Sequence, residues 1–102
     1  PFGSYNNTLI EVAESLSLKT IQWDVDSLDW KGLAATEISK RVLNGTKSGS
    51  IILCHNNADH IVEALPSIIT NLKSRGYEFV TISELLLSGN TRVDSSGRQV
   101  LI

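Results

Sequence analysis

The sequence has few of the residues that mark the most easily recognised protein classes. It contains a single cysteine, Cys54, which excludes an internal disulfide and any Cys-rich zinc site. Its formal net charge is only -2, so composition gives no electrostatic argument for binding nucleic acid or a membrane surface. No apolar run approaches the roughly 20 residues that a membrane-spanning helix needs. With 41% hydrophobic and 20% charged residues in 102, the chain has the balance of one globular domain or part of one.

The chain also lacks methionine, and it opens on Pro1, Phe2 and Gly3. These residues favour a tight turn, and no strand pattern precedes them. We therefore expect the chain to be the carboxyl-terminal piece of a longer polypeptide.

Strand and helix patterns alternate along the chain. Runs rich in β-branched, aliphatic and aromatic residues predict three strands, over 20–26, 51–54 and 79–82. Apolar residues at helical spacing predict three longer helices that begin near residues 7, 36 and 61, and a short helix over 84–87 follows Ser83 as its cap. Such alternation is typical of parallel sheets, so the predicted fold class is α/β, with parallel strands and outer helices.

Three details of this pattern carry expectations of their own. Gly45 is expected to end the second long helix in the left-handed conformation. Pro66 either lies just after the start of the third regular helix or kinks it. The tail from Gly89 to Ile102 fits either a hairpin packed against a neighbour or a disordered end.

The central predicted strand runs directly into His55 and then into two asparagines that favour a turn. Alternation places Leu53 and His55 on one face and Cys54 on the other, where we expect a small buried apolar residue. Ligands and catalytic groups gather at the carboxyl ends of parallel strands, so His55 is a candidate catalytic residue. The alternative is a histidine that only caps the strand.

The loop after the first predicted strand carries the other candidates. Asp29 is a possible carboxylate partner of His55, and the alternative is a residue that only turns the loop. Asp26 either supports such a site or is a solvated strand end. Trp30 lies in a polar stretch, which favours a groove wall over the alternative of a core residue.

Three motifs follow one another in a fixed order along the chain. Residues 1–3 are Pro-Phe-Gly, residues 26–30 fit Asp-x-x-Asp-Trp, and residues 53–55 fit Leu-x-His. In this order they resemble motifs of the polysaccharide deacetylase (NodB-homology) family, metal-dependent esterases that remove N- or O-acetyl groups from chitin, peptidoglycan or xylan. The first resembles the end of the family's Arg-x-Pro-(Phe/Tyr)-Gly motif, with the Arg missing from this chain. Residues 76–85 resemble the usual ending of the catalytic domain, so the resemblance extends to about Leu87.

The resemblance implies a role for each matched residue. His55 would be the general acid that protonates the departing amine, and Asp29 the carboxylate that favours its protonated form. Trp30 and Leu53 would line the sugar groove. The backbone N–H of Phe2 would help to hold the oxyanion.

The resemblance also implies an overall architecture. Residues 1–88 would form the carboxyl-terminal part of a distorted (β/α)7 barrel, and residues 89–102 a tail. In the family a divalent metal, usually zinc, activates the attacking water and polarises the acetyl carbonyl. The Asp-Asp and His-x-x-x-His motifs that supply the base and the metal ligands have no counterpart here, and His55 and His60, the only histidines, do not have the spacing of ligands.

We therefore expect the metal to be bound by residues outside this chain, in an amino-terminal remainder of the catalytic domain. The isolated chain would be inactive. The substrate would be a polysaccharide containing N-acetylglucosamine, peptidoglycan or a chitin-like polymer, and the location extracellular or in the cell envelope. Two alternatives stay open: O-deacetylation of xylan, and a non-catalytic carbohydrate-binding or interaction domain.

Overall fold

The computed structural model describes residues 3–102. Within this range the structure has four α-helices, α1 (Asn7–Ser15), α2 (Ala35–Gly45), α3 (Ile61–Ser74) and α4 (Ile82–Leu85), and a 3-10 turn spans Asp29–Lys31. The strands are β1 (Val25–Asp26), β2 (Ile52–Leu53), β3 (Thr91–Val93) and β4 (Gln99–Leu101). None of the helices within this range has the length and apolar character required to cross a bilayer.

Strands β1 and β2 pair in parallel, with Val25 opposite Ile52 and Asp26 opposite Leu53. The carboxylate of Asp24 secures the start of this pair, because it accepts the Ile51 N–H at 2.6 Å. Helix α2 connects the two strands and α3 follows them, so the predicted α/β arrangement of parallel strands with outer helices is confirmed.

The core lies between α2 and α3. Apolar side chains at helical spacing on both helices meet there, as expected when each helix buries one stripe. The buried members of this cluster are Ile38, Val42, Ile61, Ala64, Ile68 and Leu72. Ile52 of β2 packs against the same cluster, which joins the sheet to the helix layer.

The helix ends show where local sequence signals hold. Asn6 caps α1 by accepting the Leu9 N–H at 2.9 Å, as its residue type predicts. Helix α3 begins at Ile61 and continues through Pro66. The left-handed end predicted at Gly45 is wrong: this glycine stays within α2, which ends where the Thr46 hydroxyl donates to the Val42 carbonyl at 2.7 Å.

The third predicted strand, over 79–82, is also wrong. Phe79 and Val80 have no regular structure and are 48% and 41% exposed, and Ile82 already belongs to α4. A strand needs a neighbouring ladder to bond with, and no strand from the described part of the chain lies beside this segment. The cap of α4 is Thr81 rather than Ser83, because Thr81 forms a reciprocal capping box with Glu84.

The tail forms a hairpin, in which β3 and β4 pair antiparallel. The Arg98 guanidinium donates to the Ser48 carbonyl at 3.2 Å, and the Gln99 side chain accepts the Leu87 N–H at 2.7 Å. The first bond holds the hairpin against the turn that precedes β2, and the second holds it against the segment that follows α4. The division of the chain at residue 88 stays a prediction.

Candidate active site

The site begins where β1 and β2 end side by side. Because parallel strands share one carboxyl edge, the loop after β1 and the residues after β2 emerge together. One further bond, from the Ser27 N–H to the Leu53 carbonyl at 3.2 Å, extends the pairing past β1. It fixes the position from which the chain turns towards Asp29.

Asp29 and His55 form the centre of the site. One carboxylate oxygen of Asp29 accepts the backbone N–H of His55 at 2.7 Å, and the other lies 2.8 Å from the ring Nδ1. The Asp29 side chain is fully buried, whereas 39% of the His55 side chain is exposed. The contact expected between these two residues is therefore confirmed, so Asp29 does not only turn its loop and His55 does not only cap its strand.

The two bonds define the electrostatics of the pair. Burial alone raises the pKa of Asp29, but the backbone and ring hydrogen bonds from His55, its charge and the Ser27 hydroxyl outweigh burial and lower that pKa. Asp29 is thus an ionised acceptor, so the ring Nδ1 of His55 carries a proton and donates it. The other ring nitrogen, Nε2, then becomes the atom that can exchange a proton with a ligand.

The loop that presents Asp29 adopts an uncommon conformation. Leu28 is left-handed, with φ 52° and ψ 29°, which is unfavourable for a residue with a Cβ. The Asp26 carboxylate compensates by accepting the Leu28 N–H at 3.0 Å. The backbone carbonyl of Asp26 accepts a hydrogen bond from the Arg41 Nε at 2.7 Å. Asp26 thus orders the loop rather than extending into solvent, in agreement with a supporting position.

The remaining predicted residues occupy different settings. Trp30 is 59% exposed, so it is not a core residue, and the Lys31 Nζ lies 5.4 Å from its ring centroid. Leu53 is half-buried in β2. Phe2 lies outside the described residues. An open cleft of about 680 Å³ runs beside β1 and α2, and its lining takes in Asp26 but not Asp29, Trp30, Leu53 or His55.

Two neighbours of the pair depart from expectation. Cys54 is exposed, so its predicted burial is wrong: β2 ends at Leu53, and strand alternation no longer governs the next residue. Partial shielding of its sulfur and the nearby Asp29 carboxylate raise the pKa of its thiol.

The sequence pattern assigned no role to Ser27, which is fully buried. The only signal for it was a small polar residue inside the Asp-x-x-Asp-Trp motif.

A metal ion does not fit the residues that the structure describes. Across positions 3–102, no group of three or more His, Cys, Asp or Glu side chains is arranged to hold one. Both oxygens of Asp29 already bond to His55, so this carboxylate is committed to the histidine. His60 lies apart, with its Nδ1 3.2 Å from Glu63.

Comparison with known proteins gives three informative similarities. An 85-residue match, 83% of this chain, is 45% identical to the peptidoglycan-N-acetylglucosamine deacetylase PgdA of Listeria monocytogenes and covers 18% of it. A 77-residue match, 74% of this chain, is 36% identical to the bifunctional xylanase/xylan deacetylase of Cellvibrio japonicus and covers 12% of it. The crystal structure of a CE4 family pseudoenzyme from Bacillus anthracis superposes with a TM-score of 0.80 and 35% identity, covering 83% of this chain and 30% of that one.

The chain therefore spans less than a fifth of the length of these two curated relatives. A scan against models of protein families finds no match. The similarities in sequence and in structure nevertheless agree with each other and with the order of the motifs around Asp29 and His55. The chain belongs to the polysaccharide deacetylase family and corresponds to the carboxyl-terminal part of its catalytic domain.

Proposed function

We propose that this chain supplies the general acid and one groove wall to an enzyme that deacetylates an N-acetylglucosamine-containing polysaccharide. One observation carries the proposal: the buried Asp29 carboxylate bonds both the backbone N–H and the ring Nδ1 of a partly exposed His55. A histidine that only capped a strand would not need a buried ionised partner on its ring.

The chemistry follows from that arrangement. Cleavage of an acetamide requires a proton for the departing amine, and a histidine can hold and release one near neutral pH. The Asp29 carboxylate pairs with the ring at Nδ1, and this bond fixes the ring plane. Proton transfer then takes place at Nε2. When the amine accepts that proton, the C–N bond breaks, and Asp29 remains ionised throughout.

The other family assignments belong to the same proposal. The exposed Trp30 offers an aromatic surface on which a sugar ring can pack, and Leu53 would contact the acetyl methyl group. The Phe2 N–H would contribute to holding the oxyanion. The ligands of a divalent metal, zinc in most of the family, would come from outside this chain. The enzyme would act outside the cytoplasm, on the polymer of a cell envelope.

Several apolar side chains of this chain are exposed, which supports the expectation that a further protein segment packs against it. No residue of α1 is buried, and its Val12 and Leu16 are 54% and 65% exposed. Phe79 and Val80 are exposed as well. We infer that the amino-terminal remainder of the catalytic domain covers these side chains, since burial of apolar surface is the main favourable term in folding.

A hybrid deacetylase tests the catalytic assignment. In it, this chain replaces the matching 85 residues of the Listeria PgdA. We expect the hybrid to release acetate from an N-acetylglucosamine oligomer, and His55→Ala to lower kcat about a hundredfold or more because the acid is lost. His60→Ala is the matched control, since it removes the other histidine, and its kcat should equal that of the parent hybrid.

Metal content, measured beside kcat, separates an acid from a ligand. His55→Ala should leave the metal stoichiometry unchanged. Loss of metal from this variant would show that His55 is a ligand and that the assignment is wrong. Equal activity of the His55→Ala and His60→Ala variants would remove the basis for a general acid at this position.

The pseudoenzyme among the structural relatives favours a second candidate, a non-catalytic module that binds carbohydrate. A folded hybrid that binds the oligomer with the affinity of the parent Listeria protein but releases no acetate would support this candidate. Acetylated xylan, assayed in parallel, tests O-deacetylation. Release of acetate from xylan alone would assign the chain to that substrate class.

A further inference from the structure

We propose that Ser27 is a positioning residue that holds Asp29 against His55. The inference rests on the proposed function, because it concerns the same pair of side chains. Ser27 is fully buried and lies between the end of β1 and the left-handed Leu28. Its contacts connect the strand pair to the loop.

Two bonds determine where Ser27 lies and what it holds. Its backbone N–H donates to the Leu53 carbonyl at 3.2 Å, which ties it to β2 two residues before His55. Its hydroxyl oxygen accepts the Asp29 N–H at 3.4 Å. The second bond closes a serine turn around Leu28, and such turns stabilise backbone conformations that leucine alone disfavours.

The hydroxyl also affects the carboxylate itself. Burial raises the pKa of Asp29, and the Ser27 hydroxyl is one of the groups that reverse this effect together with His55. The Ser27 hydroxyl also lowers the pKa of the neighbouring Cys54 thiol, although partial shielding of the sulfur and the charge of Asp29 outweigh it and raise that pKa. The Ser27 oxygen therefore lies within reach of both groups, in the buried space beneath the pair.

The Asp26 carboxylate supports the same loop from the other side. It accepts the Leu28 N–H at 3.0 Å, so two consecutive side chains of the motif each accept the N–H two residues further on. Because Asp26 is half-buried and Ser27 is fully buried, water can replace the first contact more readily than the second. Loss of the Ser27 hydroxyl should therefore disturb Asp29 more than loss of the Asp26 carboxylate does.

The test compares Ser27→Ala and Ser27→Thr with Ser39→Ala in the hybrid deacetylase. Ser39 is a matched control, since it is also buried but belongs to α2. We expect Ser27→Ala to lower kcat about tenfold or more with KM within twofold, as for other residues that orient catalytic groups. Ser27→Thr, which keeps a hydroxyl, should recover most of the lost kcat, and Ser39→Ala should match the parent.

A second measurement does not depend on activity. In the full 102-residue chain labelled with 15N-histidine, ring shifts report which nitrogen of His55 carries the proton, and His60 serves as the internal reference. We expect the Nδ1–H tautomer to predominate in the parent chain and in Ser27→Thr. In Ser27→Ala it should become the minor form. If the parent hybrid is inactive, the proposed function fails, and the tautomer measurement still decides the role of Ser27.

Two results would overturn the proposal. One is a Ser27→Ala variant with parental kcat and an unchanged His55 tautomer. The other applies if Ser27→Ala does not fold. Ser27→Cys then replaces it, because a thiol has nearly the same shape as the hydroxyl but is a poor hydrogen-bond acceptor. A folded Ser27→Cys with full kcat and the parental tautomer would show that the hydroxyl does not position Asp29.

Discussion

Replacement of Asp29 by asparagine keeps the shape of the side chain but removes its charge. The carboxylate now accepts two bonds from His55, at 2.7 Å and 2.8 Å, in a fully buried position. An asparagine offers one oxygen and one N–H₂ group, so only one of these bonds can survive. The variant must either lose the backbone bond or turn the His55 ring nitrogen into an acceptor.

The structure sets the size of the effect. A hydrogen bond to a charged group contributes about 1.5–3 kcal/mol, so we expect Asp29→Asn to lower the free energy of unfolding by roughly that amount. In the hybrid deacetylase, kcat should fall about a hundredfold, the low end of what a positioned acid contributes.

The pH dependence of stability follows from the lowered pKa of Asp29. A carboxylate whose pKa is lowered by folding stabilises the folded state above its unfolded value and loses this effect as pH falls through the lower folded value. The stability difference between the parent chain and Asp29→Asn should thus be complete above the reference value of 3.8 and should shrink at lower pH. Chemical unfolding between pH 2 and 7, with the exposed Asp59→Asn as control, measures this difference. An unchanged kcat, or a stability difference that does not shrink towards pH 2, would refute the reasoning.

Two further predictions concern the core and the groove. Ile38→Ala should cost about 2–5 kcal/mol of unfolding free energy because Ile38 is fully buried, whereas Val62→Ala, at a site 77% exposed, should change it by less than about 0.5 kcal/mol. Equal losses in urea titrations would contradict the assignment of the core. Trp30→Ala should raise KM for an N-acetylglucosamine oligomer about tenfold, the equivalent of a 1.4 kcal/mol contact, and Trp30→Phe should keep most of the affinity. A larger effect on kcat than on KM would indicate a structural role for Trp30.

The sequence by itself was sufficient to predict elements that depend on residues close together in the chain. Helix bonds are internal to a segment, so the helical spacing of the apolar residues of α3 could be read from local patterns. The pairing of Asp29 with His55 was predictable for a different reason. Both residues follow strands, and parallel strands bring their carboxyl ends to one edge.

Tertiary structure alone decided features that depend on distant partners. A strand exists only where another strand supplies its hydrogen bonds, so residues 79–82 could not be assigned from their composition. The exposure of Cys54 likewise follows from where β2 ends, and the burial of Ser27 from the bond to the Leu53 carbonyl. Residue type fixed which groups could bond, and the packing of β1 beside β2 decided that both oxygens of Asp29 bind a single histidine.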